Sequence, residues 1–380
     1  MIKRFVVQKL SGVWDIELNL HPDINVLTGR NGAGKTTVLK LLWFMISGNI
    51  ERIVPEISFE SAEVETDTFK LSVKLQHAPK DQVRLMLVEL TVGSKPTSKK
   101  TIPCKQAFGY AERFRELDHE VSQASGRSVF FPTFRRIEGG FSTATGSIPA
   151  RLRKLNSLQE AMTDLAAELS YEQHCFVSSI STDDIKTLLT KQFADASQGA
   201  NKLQADLSTF IERTIKEFDQ VDAASASETA SAAIAIVTNI REEVRKIEQS
   251  RGLLFQPFTV LDKLVSELLR HKGIRVTDVT AFGDVTVAIE ASHLSAGEKQ
   301  LLSFLCYNAF CRRSTIFIDE PEISLHVDWQ RILFPKLIEQ GVDNQFIVAT
   351  HSPFIYTKFI DREHRLDAIG NADEQSTTNS

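Results

Sequence analysis

The sequence predicts an α/β fold with a mostly parallel central sheet, an antiparallel side sheet and a helical insertion, and three features of its 380 residues carry that expectation. Four short apolar runs, Ile24 to Thr28, Val129 to Phe131, Ile316 to Ile318 and Phe346 to Ala349, each end where polar or glycine-rich sequence begins, as strands buried on both faces do. Between the first two, Phe69 to Leu75 and Val83 to Val92 are rich in strand-forming residues and place the side sheet there. From about Arg151 to Lys272 the periodicity turns helical, most clearly over Leu158 to Glu172, Lys202 to Phe218 and Ile234 to Ile247. The alanine- and serine-rich run Ala223 to Ala233 reads as the turn or hinge joining two of these helices. The expected organisation is therefore a head in two pieces, residues 1–150 and 273–370, with an insertion over 151–272 and a polar tail over 371–380.

Composition bounds the function. With 42% hydrophobic and 24% charged residues the chain can bury a sizeable core. Apolar stretches such as Val38 to Ile46 fall short of the roughly 20 residues of a membrane span, and the N-terminus lacks a signal pattern. A soluble cytoplasmic protein without a membrane partner is expected. Cys104, Cys175, Cys306 and Cys311 lack CxxC spacing and read as reduced core thiols rather than a disulfide or zinc framework. A net charge of -5 gives no global attraction to nucleic acid. Any contact with double-stranded DNA would need a local patch, for which Lys95 to Lys154 is the richest stretch, although its acidic neighbours equally suit a solvated surface.

The first chemical signal follows the first apolar run. Gly29-Arg30-Asn31-Gly32-Ala33-Gly34-Lys35-Thr36 fits G-x-x-x-x-G-K-[ST] between a strand and a helix, with Thr37 next in line. Glycines let successive backbone N–H groups converge on phosphates, and the helix start adds partial positive charge. Lys35 is expected to reach the β and γ phosphates of ATP, and Thr36 to ligate Mg2+. The second signal is the run Ser314 to Pro321, an apolar strand ending in Asp319 and Glu320, which is the Walker B pattern. In that setting Asp319 would hold Mg2+ and Glu320 would polarise the attacking water. These two signals make the expected fold a P-loop NTPase.

The third signal, Leu294-Ser295-Ala296-Gly297-Glu298-Lys299-Gln300, closely resembles the LSGGQ signature of ABC ATPases. Alone it could be an ordinary helix N-cap with an acidic first turn. Ser324-Leu325-His326 occupies the D-loop position, and His351 in Ala349 to Pro353 matches the switch histidine. The segment Phe130 to Arg136 stands where a Q-loop belongs but has no glutamine, which leaves Arg135 as the substitute.

In order and spacing the chain, from Met1 to about Phe359, is similar to the RecF, SMC and OLD branch of ABC ATPases. Some 265 residues separate Gly29 from Leu294, far more than in transporter subunits of that superfamily. The resemblance implies a homodimer closing as a nucleotide sandwich, with Ser295 and Gly297 of one copy on the γ phosphate held by the other. OLD enzymes carry a Toprim nuclease after the switch histidine, whereas 29 residues follow His351. The expectation is thus an ATPase without its own nuclease, similar to the ATPase subunits of two-gene anti-phage systems of the Septu type, acting with a separate nuclease or toxin. Phe131 to Glu138 adds to that likeness. Two alternatives stand beside it: a RecF-like repair ATPase that clamps DNA and loads a recombination factor, and a non-catalytic clamp that uses ATP only to dimerise.

Overall fold

A computed structural model describes residues 1–77, 84–93, 95–103, 110–133, 161–178, 180, 182–219, 226–269 and 294–369. The described chain divides into two compact units, Met1–Ile180 with Ser295–Ser380, and Ser181–Leu294. The boundaries expected at 151 and 272, and the tail 371–380, lie outside the described residues.

The first unit holds two six-stranded sheets. One is parallel throughout in the order β12-β3-β11-β10-β8-β9, built from β3 (Ile24–Thr28), β8 (Ser128–Phe131), β9 (His174–Phe176), β10 (Thr315–Asp319), β11 (Gln345–Ala349) and β12 (Glu363–Arg365). All four apolar runs of the sequence are its inner strands, and every residue of β3, β8, β10 and β11 is buried. The other sheet is antiparallel in the order β2-β1-β4-β5-β6-β7, from β1 (Ile2–Leu10), β2 (Trp14–Asn19), β4 (Ser61–Thr66), β5 (Phe69–His77), β6 (Arg84–Val92) and β7 (Lys95–Pro103). Its strands alternate, with Phe5, Val7, Val64, Leu71, Val73, Met86 and Val88 turned to the core.

The helix Lys35–Ser47 shares one apolar core with both sheets. A surface helix carries one apolar stripe, but here Val38, Leu39, Leu41, Leu42, Trp43, Phe44, Met45 and Ile46 are all buried, so apolar side chains point round most of the helix. Trp43 packs on Phe130 and Phe176 at 5.3 and 5.6 Å, and its Nε1–H donates to Ser128 Oγ at 3.1 Å. Between the sheets, buried Gln345 of β11 accepts from the Ile2 N–H at 2.8 Å and donates to the Ile2 carbonyl at 2.7 Å. A buried amide satisfied on both sides fixes their relative register. Burial pushes the Cys306 thiol up, and Cys311 up to about 12; Cys306 is buried, Cys175 and Cys311 are half-buried, and Cys104 lies outside the described residues.

The second unit contains the helices Thr182–Asp219 and Ala226–Leu268, of 38 and 43 residues, which pack as a pair. Phe193 of the first meets Phe255 and Phe258 of the second at 6.1 and 5.8 Å. The residues Ala226 to Ala233 expected in a turn are helical, because alanine is the strongest helix former; the connection over 220–225 lies outside the described residues. The helix expected over Leu158 to Glu172 is described over 161–169, and Glu172 has a φ of 52°, which no right-handed helix continues. No helix among the described residues is long and apolar enough to cross a membrane.

Candidate functional site

In a parallel sheet the crevice beyond the carboxyl ends of the strands collects ligands where the connections diverge. Register sets which residues meet there. Asp319 pairs with Ala349 across β10 and β11, Ile318 with Phe131 across β10 and β8, and Ala349 with Leu27 across β11 and β3. The residues just past these pairs, Gly29 to Thr36, Glu320, Thr350, His351 and Thr133, thus emerge at one edge.

The loop from Gly29 to Gly34 turns through φ values that side chains rarely adopt: 144° at Gly29, 85° at Gly32 and 84° at Gly34. Gly34 caps the helix Lys35–Ser47 in left-handed geometry and leaves the N–H groups of the first turn facing the cleft. A cleft of about 410 Å³ is lined by Asn31, Gly32, Gly34, Lys35, Thr36 and Thr37, by Glu320 and His351, and by Ser11 and Trp14 at the β1–β2 turn. Ala33 is buried beneath the loop, against the position a Gly29 side chain would take.

Lys35 is 6% exposed, and its Nζ donates to the Gly29 and Arg30 carbonyls at 3.1 and 3.3 Å. Its third partner is His351 Nε2 at 2.7 Å. An ammonium has no acceptor, so His351 presents the lone pair of Nε2. Burial lowers the Lys35 pKa below the usual lysine range, against the pull of Glu320, Asp319 and Glu322. Asp319, 4% exposed, accepts from Thr36 Oγ1 at 3.1 and 2.9 Å and from Thr133 Oγ1. Burial raises its pKa, opposed by the hydrogen bonds from Thr133 and Thr36. A buried ammonium and a buried carboxylate, each penalised by desolvation, are groups that an anion and a cation respectively would relieve. Three oxygen-bearing side chains with no sulfur or imidazole among them suit a hard cation such as Mg2+.

Glu320 follows β10 with a φ of 48°, and its N–H donates to the Ala349 carbonyl at 2.8 Å. This left-handed step is unusual for a non-glycine residue, and strain of this kind gathers at functional sites. It brings Glu320 Oε1 within 4.0 Å of His351 Nε2. Sequence reasoning missed Glu322. Its carboxylate accepts from the His351 N–H and the Thr350 hydroxyl, both at 2.7 Å, and so holds the switch loop from the Walker B side. Its place two residues past Glu320 was the available signal. Thr133 was missed as well, because a lone threonine 186 residues from Asp319 carries no pattern. Arg135, the expected Q-loop substitute, lies outside the described residues.

The signature stands apart from the cleft, whose described lining includes neither Ser295 nor Gly297. Ser295 caps the helix Ala296–Phe310 in a reciprocal capping box with Glu298. Gly297 is buried, and a Cβ there would stand 2.2 Å from the Ser324 carbonyl oxygen. Gln300 Nε2 donates to the Pro321 carbonyl at 3.1 Å, which fastens the same helix to the turn after Glu320. His326 of the D-loop position is the N-cap of the helix Val327–Glu339.

Among solved structures, the chain is similar to an SMC head domain with an extended coiled coil, bound to the C-terminal domain of ScpA, from Pyrococcus furiosus. The two share 13% identity over 94% of this chain and 91% of that one, at a TM-score of 0.38. It is also similar to an SMC head bound to the C-winged helix domain of ScpA, at 11% identity, the same coverages and a TM-score of 0.37. The family described as "AAA domain, putative AbiEii toxin, Type IV TA system" matches residues 24–356, which take in the phosphate loop, the signature, Asp319, Glu320 and His351, and the chain belongs to that family of ATPases.

Proposed function

We propose that the protein binds and hydrolyses MgATP, and that two copies close head to tail on the nucleotide so that cycles of closure and opening drive a partner. The observation that carries this reading is the division of the predicted site. Lys35, Thr36, Asp319, Glu320 and His351 share one edge of the sheet, whereas Ser295 and Gly297 stand outside the cleft they are meant to complete. A second copy is the simplest source of the absent signature.

In this reading Asn31, Gly32 and Gly34 present backbone N–H groups to the phosphates, and Lys35 neutralises the β and γ oxygens. Thr36 and Asp319 would hold Mg2+, which when bound draws charge from the phosphate oxygens. Glu320 accepts the proton of the attacking water, and His351 orients the γ phosphate. Loss of that phosphate removes the bridge between copies and reopens them. The family, an AAA domain, supports a conformational output driven by nucleotide. The family description, with its toxin and type IV TA system, favours a toxin–antitoxin setting over a repair role, and we place the anti-phage partner there. In the basic stretch, Lys99 and Lys100 pair with Glu89 and Glu116, which leaves those two charges less available to DNA than the sequence suggests.

The test is turnover and oligomeric state of the wild type beside Glu320→Gln, with ATP and Mg2+. The reading expects a variant that binds ATP, hydrolyses it far more slowly and accumulates as a compact dimer. Wild-type turnover in the variant would remove Glu320 as base, and an oligomeric state and shape indifferent to ATP would remove the sandwich.

A further inference from the structure

We propose that Thr133 is a third protein group of the magnesium site, supplying a hydroxyl from the Phe130 to Arg136 segment, which has no glutamine. The proposal rests on the MgATP reading and deepens it. Thr133 lies two residues past the end of β8, next to β10 in the parallel sheet, so it leaves the sheet at the edge where Asp319 ends β10. Its Oγ1 donates to Asp319 Oδ2, the oxygen that also accepts from Thr36 at 2.9 Å. Hydroxyls from two separate chain segments therefore flank one buried carboxylate. Strand pairing does not use this contact, since Thr133 lies beyond the last register pair of β8.

A hydroxyl can serve the carboxylate in two ways: as a donor, and with its lone pairs as an oxygen ligand to a cation or to a cation's water. Thr36 has that dual ability in the proposed site, and Thr133 is its counterpart from the opposite side of Asp319. A group that orients a metal-binding carboxylate affects metal affinity even where it makes no direct bond to the metal.

The experiment titrates manganese(II), followed by its paramagnetic resonance, into the full chain with a non-hydrolysable ATP analogue, and measures analogue binding separately in EDTA. Wild type, Thr133→Val and Thr133→Ser are compared, with melting temperature as the check on folding. Thr133→Val, nearly isosteric, is expected to raise the manganese concentration for half-saturation about 10-fold, within the range for groups that orient metal ligands. Binding in EDTA should hold, and Thr133→Ser should stay near wild type. Unchanged manganese affinity in a folded Thr133→Val overturns the proposal. Equal loss with and without metal also overturns it, since that marks a structural role. If the wild type binds no analogue at all, the MgATP reading itself falls, and the proposal with it.

Discussion

Replacing Gly297 by alanine tests how the signature is held. A Cβ at 297 would lie 2.2 Å from the Ser324 carbonyl oxygen and 3.3 Å from its carbon, with Trp329 Cζ3 at 3.5 Å. The oxygen cannot retreat easily. Ser324 already sits at a φ of 72°, the Leu325 N–H donates to the Glu322 carbonyl at 3.0 Å, and Gln330 Nε2 holds the Leu325 carbonyl at 2.9 Å. Relieving the clash needs a shift of about 1 Å between the signature helix and the loop after Walker B. Overpacking of this kind costs about 1–3 kcal/mol. Removing a glycine from a helix returns up to about 1 kcal/mol, so the net loss lies between about 0 and 3 kcal/mol, about 1.5 kcal/mol at mid-range. Urea unfolding followed by tryptophan emission reads this loss of stability. ATP affinity of the isolated head should hold, since Gly297 does not line the cleft, while turnover should fall as the displaced signature misses its partner. Unfolding and turnover both equal to wild type would show that the loop yields freely and that the packing argument is wrong.

Other perturbations separate the parts of the site. Lys35→Ala should abolish ATP binding in calorimetry, because it removes the one buried lysine that lines the phosphate cleft among the described residues. Glu322→Ala frees the His351 N–H and the Thr350 hydroxyl together, so turnover should drop at least about 10-fold with ATP affinity little changed, the pattern of a lost orienting contact. Burial holds His174 down at about 4 against 6.5 in the unfolded chain, so its stabilising contribution is complete above pH 6.5 and is lost as pH falls toward 4, about 2 kcal/mol between pH 7 and 5. Buried Asp118, raised to about 8 from 3.8, works the other way and gains stability over the same interval. Acid titration of unfolding free energy should therefore run nearly level in the wild type and rise toward pH 5 in His174→Gln; parallel profiles would refute the assignment.

The parts of the site legible in the sequence are those where one ligand imposes a contiguous backbone. The phosphate loop needs its glycines within one turn, and the Walker B strand must be apolar up to its carboxylates, so both appear as short patterns. Thr133 and Glu322 act across strand ends, where the meeting of residues depends on sheet order, and sheet order is written in no local pattern. The same holds for the fold. The inner parallel strands were visible as unbroken apolar runs, whereas β9 and β12 have three residues each, too few to show a period. The edge strand β7 carries Lys95, Lys99 and Lys100, as edges that must not pair with other chains do, and this hid it among the basic residues. The antiparallel side sheet was expected only from β5 and β6.

The contact between Lys35 and His351 adds a step to the proposed cycle. Three acceptors, two carbonyls and His351 Nε2, match the three hydrogens of the Lys35 ammonium, so this residue is fully engaged within the protein. A γ phosphate can be gripped by Lys35 only if at least one of these bonds is exchanged. His351 is the mobile choice, since the Gly29 and Arg30 carbonyls belong to the loop that must itself keep its shape. Exchange frees His351 Nε2 next to Glu320, 4.0 Å away, at the moment the phosphate arrives. The backbone of His351 stays fixed meanwhile, because its N–H remains on Glu322. Phosphate capture and release of the switch histidine thus become a single event. Nitrogen resonances of the His351 ring follow it directly: they should shift on addition of the triphosphate and remain in place on addition of adenosine. A shift on adding adenosine alone would separate the two events and refute the coupling.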